Sequence, residues 1–153
     1  MHDYRDDKFY KLYIIIFLVE NFCKNRSGRK VLTIKKLEIL YFIIKNPVLL
    51  KGIFDKLEYG PVIGYKPVLY DNSLSVEDLF SLDNINKYIF YLIDINYICI
   101  EQIKGVDYVS INEDKAKDIS ISPPNQIIEL NIKTIKKIST LEESKLTKII
   151  MDI

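Results

Sequence analysis

The stretch Ile34–Lys45 is apolar on nearly every side of a helical wheel. Ile34, Leu37, Leu40, Tyr41 and Ile44 fall on one side at helical spacing, and Ile39, Phe42 and Ile43 cover the others. A soluble helix of that kind has to be central, or to share one face with a partner. Whatever this chain folds into is therefore built around residues 34–45. Thr33 stands where an N-cap belongs, and Asn46-Pro47 ends the segment.

Other elements follow from the same periodicity. Residues 8–25 predict a first helix, with Phe9, Leu12, Tyr13, Ile16 and Phe17 at helical spacing, and residues 26–29 break it. Pro47 suits the first turn of a third helix over 48–58, stopped by Tyr59-Gly60-Pro61. Residues 60–82 are rich in turn signals, and Ser75 with Asp78 could cap a brief helical turn. Asp83 caps a fourth predicted helix over 84–95. Two alternating runs, 97–102 and Val106–Ile111, form a hairpin about Lys104-Gly105, where glycine supplies positive φ. After the boundary at Ser122-Pro123-Pro124-Asn125, residues 126–138 and 141–152 predict two further helices. Thr140 with Glu143 has the form of a capping box for the second.

The expected fold is thus α+β and mostly helical: three helices, a helix and a β-hairpin in a winged-helix-like core, then two C-terminal helices. Residues 1–7 read as a frayed N-terminus, 8–122 as the winged-helix-like domain, and 123–153 as a helical extension packed on it. At 153 residues the chain buries roughly 68–70% of its unfolded surface, so a core needs neither disulfide nor metal. Cys23 and Cys99 lie among apolar neighbours and read as buried small hydrophobes. Their spacing leaves a disulfide open, and a reducing compartment is the plainer reading. The acidic start Asp3–Asp7 and an apolar run of only eight residues, 12–19, predict neither a signal peptide nor a membrane span. The expected location is cytoplasmic, with no membrane partner.

Candidate chemistry is sparse. The single histidine, His2, lies in the N-terminal segment, which leaves no Ser-His or Cys-His dyad and no two-histidine metal site. Gly60–Gly64 lacks the Lys-Ser/Thr of a phosphate loop. The adjacent acid pairs Asp6/Asp7, Glu77/Asp78, Glu113/Asp114 and Glu142/Glu143 sit at termini, helix starts or loops, where carboxylates cap or face water. No enzyme, cofactor or metal is expected. Six cations, Lys24, Arg26, Arg29, Lys30, Lys35 and Lys36, surround the first inter-helix loop with no acid among them. They either contact nucleic-acid phosphates non-specifically or complement a helix dipole and solvate an oily helix. Net charge is +1, so only such a local patch would draw in DNA. The third helix, with Lys51 and Lys56 but no Arg, Asn or Gln, is poorly equipped to read bases. Aromatic side chains, among them Tyr41, Phe42, Tyr59, Tyr65, Tyr70, Tyr88, Phe90 and Tyr91, are more than one small core comfortably buries. Tyrosine favours surfaces that are half apolar and half wet. The candidate protein interface is Leu37, Tyr41, Phe42, Tyr59, Tyr65, Tyr70, Leu146 and Ile150, with ordinary packing as the alternative.

The runs Leu12–Phe17, Leu32–Tyr41, Asn46–Leu50 and Tyr59-Gly60-Pro61 resemble the middle components of ABC-three-component bacterial defence systems, of which Lamassu is the known example. The likeness spans residues 8–61 and, more loosely, the hairpin to 111. It implies a non-enzymatic, winged-helix-like adaptor joining an SMC-like ABC ATPase to its effector. Assembly would hold a nuclease or other toxic effector inactive until foreign DNA is sensed. No functional residue carries over by motif. Two other classes are a winged-helix DNA-binding regulator, with the wing 97–111 and the cation cluster as contact surfaces, and an immunity or antitoxin protein.

Overall fold

In the computed structural model, which describes residues 8–66, 85–116 and 121–153, the segment Ile34–Lys45 is a helix, α2, with neighbours on several sides. The helices α1 (Lys8–Phe22), α3 (Pro47–Lys56), α6 (Gln126–Ser139) and α7 (Glu143–Met151) all pack on it. Seven of its twelve residues are buried, which is what an all-round apolar helix requires. The Thr33 hydroxyl accepts from Lys36 N–H at 3.1 Å, closing the N-terminus as expected. Pro47 occupies the first turn of α3.

The remaining elements are α4 (Asn86–Asp94), β1 (Ile98–Ile103), β2 (Val106–Ile111) and the short α5 (Glu113–Ala116). The hairpin is antiparallel, with Ile98 opposite Ile111 and Ile103 opposite Val106. Lys104 and Gly105 have φ of 51° and 79°, the pair of positive values that a two-residue primed turn needs. A third strand is reduced to one rung. Val109 N–H donates to Leu32 carbonyl at 2.7 Å, and Thr33 bridges Tyr108 antiparallel. The fold is α+β, mostly helical and winged-helix-like, with α4 immediately before the wing.

Several boundaries differ from expectation for physical reasons. α1 ends at Phe22 rather than Asn25, because the chain turns back there. Val31 N–H bonds to Cys23 carbonyl at 3.0 Å, and Lys24 bridges Lys30. Tyr97 precedes β1 instead of starting it; its N–H is spent on Leu92 carbonyl at 2.9 Å. The proposed capping box does not form. Thr140 closes the end of α6, its hydroxyl donating to Lys137 carbonyl at 2.7 Å, while Glu142 takes the cap position of α7. Glu143 instead accepts a hydrogen bond from the Thr33 hydroxyl. The cap of α6 is Asn125, whose Oδ1 accepts from Ile128 N–H at 2.9 Å. Cys23 is buried but Cys99 is exposed. Cys99 lies on the strand face opposite to that of Ile98, whose side chain enters the core. His2, the cap candidates Ser75 and Asp78, Asp83, and Tyr70 lie outside the described residues. No described helix is long and apolar enough to cross a membrane.

Candidate interaction surface

The cation cluster is held by a tight loop. Asn25 Oδ1 accepts from Ser27 N–H at 3.0 Å, Arg29 N–H at 2.9 Å and the Ser27 hydroxyl at 2.7 Å. This asparagine-centred turn lets Lys24 and Lys30 face the hairpin and leaves Arg26 and Arg29 outside it. Lys24 pairs with Glu113 at 3.4 Å, and Lys30 pairs with Glu101 on β1. Lys35 pairs with Glu38 at 3.8 Å, one helical turn away. Lys36 is 6% exposed and lies under the start of α7. Of the six cations, Lys36 is thus buried, while Lys24, Lys30 and Lys35 each have a carboxylate neighbour, Lys24 and Lys35 in pairs open to solvent. Arg26 and Arg29 alone of the six remain exposed without a carboxylate among the described residues.

Burial lowers the Lys36 pKa below its ordinary 10.5, and attraction by Glu143 and Glu142 offsets that only in part. As pH rises from the depressed folded pKa to 10.5, the folded chain binds fewer protons than the unfolded chain, so stability increases. At neutral pH the cost of the buried charge is fully present. Lys36→Met is expected to raise the thermal midpoint at neutral pH, because burial costs the ammonium more than Glu143 and Glu142 return. Its advantage should shrink in alkaline thermal melts as the wild-type amine loses its proton.

Between this loop and the hairpin lies a polar cleft of about 710 Å³, lined by Glu20, Cys23, Lys24, Lys30, Cys99, Glu101, Glu113 and Lys136 among others. Glu20 Oε2 is buried there without a hydrogen-bond partner among the described residues, and burial raises the Glu20 pKa above 4.5. The buried Cys23 thiol is likewise raised, chiefly by burial, so it is protonated and poorly nucleophilic at neutral pH. Among the described residues no group of three His, Cys, Asp or Glu is placed to hold a metal ion.

The predicted protein interface divides sharply. Leu37, Tyr41, Leu146 and Ile150 are core: all are nearly inaccessible, with α7 seated on α2 and α3. They offer nothing to a partner, because the stripe of α7 is consumed by the apolar side of α2. Phe42, Tyr59 and Tyr65 are half-buried. Tyr59 meets Phe54 edge-to-face at 6.1 Å, and its ring lies 5.9 Å from the Lys137 ammonium.

The segment around Tyr59 and Tyr65 is pinned rather than loose. Asn131, 3% exposed on α6, donates to Ile63 carbonyl at 2.9 Å while its Oδ1 accepts from Ile63 N–H at 2.9 Å. It also donates to Ile127 carbonyl at 2.7 Å. Ile63 and Leu130 are both exposed, and at Gly64, with φ +82°, an added Cβ would crowd Leu130. Other exposed apolar side chains among the described residues include Ile100, Ile103 and Val106 on the hairpin, Phe90 and Tyr91 on α4, Phe9 at the start of α1, and Met151 and Ile153 at the C-terminal end. Sequence reasoning had Phe90 and Tyr91 in its aromatic excess but missed the aliphatics. Ile103 and Val106, flanking the predicted turn, were the available signal, since hairpin-tip positions cannot reach a core. Comparison with protein-family models, curated proteins and solved structures gives no match.

Proposed function

We propose that the chain is a non-catalytic adaptor subunit linking an SMC-like ABC ATPase to an effector nuclease in a bacterial anti-phage or anti-plasmid defence complex. The choice of system rests on the resemblance carried by Leu12–Phe17, Leu32–Tyr41, Asn46–Leu50 and Tyr59-Gly60-Pro61. The observation that supports a protein partner over DNA is the wing. Ile100, Ile103 and Val106 stand exposed on it, while its one cation, Lys104, is outweighed by Glu101 and Asp107. Gripping a phosphate backbone requires the reverse balance. An apolar hairpin with a polar rim suits a protein groove. The test is a pull-down of the tagged protein from its native host, read by mass spectrometry. Recovery of a large coiled-coil ATPase is expected, and Ile103→Glu with Val106→Glu should abolish it. Recovery of no protein partner by the wild type sinks the adaptor reading.

Arg26 and Arg29 keep a second reading in play, a winged-helix regulator that touches the DNA backbone. The two readings differ in salt dependence. Any duplex binding should show a log K against log salt slope of roughly −2, from two phosphate contacts, instead of the roughly −5 of six. For Lys24 or Lys30 to reach a phosphate, its pair with Glu113 or Glu101 must break, leaving that carboxylate beside the anion. A titration giving the steeper slope would restore the regulator.

A further inference from the structure

One face of α4 is left uncovered by the rest of the described chain. Ile89 and Leu92 are its buried positions, and the helix packs on β1 and α1, so its orientation is fixed by the core. The exposed positions are Lys87, Phe90, Tyr91 and Asp94. Their spacing of i, i+3, i+4 and i+7 makes a single stripe along the helix. Phe90 and Tyr91 are each 53% exposed, a large aromatic area to leave in water.

The charges at the two ends of the stripe are misplaced for an isolated helix. Lys87 lies in the first turn, where the helix dipole favours an acid, and Asp94 lies in the last, where it favours a base. Neither has an ion-pair partner among the described residues; the Lys87 ammonium rests 5.0 Å from the Tyr88 ring. The pattern becomes intelligible when reversed. Cation, aromatic, aromatic and anion are symmetric about the midpoint between Phe90 and Tyr91. Antiparallel packing on an identical helix sets each Lys87 against Asp94 of the other copy and lays the four aromatic rings over one another. A parallel arrangement would oppose like charges.

We propose that this face of α4 binds a second copy of the chain in a two-fold, antiparallel contact. Such an isologous contact requires a self-complementary patch, which the stripe provides. A net charge of +1 puts no field in the way of two copies meeting. A nine-residue helix offers less than a standard interface, so the dimer is reversible, with dissociation in roughly the micromolar range. The residues that make the contact, Lys87, Phe90, Tyr91 and Asp94, include none of those on which the adaptor reading rests. The contact is therefore independent of the adaptor reading.

Charge reversal separates this contact from a folding effect. Lys87→Glu makes the stripe acidic at both ends, and Asp94→Lys makes it basic at both ends. Each variant alone should dissociate at least about tenfold more readily than wild type in sedimentation velocity. Mixed in equal amounts they should form a heterodimer, because position 87 of each copy then meets the opposite charge at position 94 of the other. Both variants are surface changes that favour the helix dipole, so circular dichroism melts should show no loss of stability. A wild type that stays monomeric over a roughly hundredfold concentration range reaching well above micromolar overturns the proposal. So does a mixture that stays monomeric.

Discussion

Leu146→Ala is expected to lower the unfolding free energy of the isolated protein by about 3–4 kcal/mol. Leu146 is completely buried, on a helix seated against both α2 and α3. Truncating it removes apolar contact and leaves a cavity that three helices cannot easily close. Total stability of a domain is only about 5–15 kcal/mol, so the loss is a large share of it. Thermal unfolding followed by circular dichroism should show the midpoint falling by roughly 10 °C. The result bears on function as well as stability. A residue kept for a partner would be silent in the isolated chain, and an unchanged midpoint would return Leu146 to the interface.

Asn131→Leu should cost about 2–4 kcal/mol although it replaces a buried polar group by an apolar one of similar size. The reason is asymmetric. Ile63 N–H and carbonyl both depend on the Asn131 amide, and after substitution both are left without their partner. On the Asn131 side the clamp is closed to water, and there an unmade hydrogen bond costs more than a made one contributes. The segment around Gly64 should then detach from α6, carrying Ile63 and Tyr65 with it. Hydrogen exchange at the Ile63 amide is the direct readout. Protection equal to that of the wild type would mean that Leu130 and Ile127, not the amide, hold the segment in place.

What could be read from the sequence was what is local. Ile34–Lys45 was legible because its periodicity, its Thr33 cap and its Asn46-Pro47 stop all lie within a few residues of one another. The turn at Lys104-Gly105 was legible because only a few residue pairs accept two positive φ values. The Thr140 and Glu143 pair had the right spacing, yet it failed for a reason no spacing shows. Glu143 is drawn to Thr33, 110 positions earlier. The ion pairs of the cation cluster were hidden for the same reason, the carboxylates that meet Lys24 and Lys30 lying 89 and 71 positions away. An aromatic excess was visible from composition, but assigning it to the surface of α4 required knowing which side of that helix meets β1. Cys99 shows the converse: flanking isoleucines suggest burial, and strand alternation turns the thiol out.

The single rung between Val109 and Leu32 has a consequence for how the protein is made. The β1–β2 hairpin closes over a two-residue turn, a local event of roughly microseconds. Its third strand arrives only when Leu32, nearly eighty positions earlier, has been brought alongside, and closing so long a loop is slow. During synthesis the N-terminal helices emerge first and wait, with the oily side of α2 uncovered, until β2 and then α6 and α7 have left the ribosome. The nascent chain thus passes through a stage with open strand edges and a bare apolar helix, the combination most prone to aggregation. Yield from recombinant expression should accordingly depend more on translation speed and chaperone supply than on the stability of the finished fold.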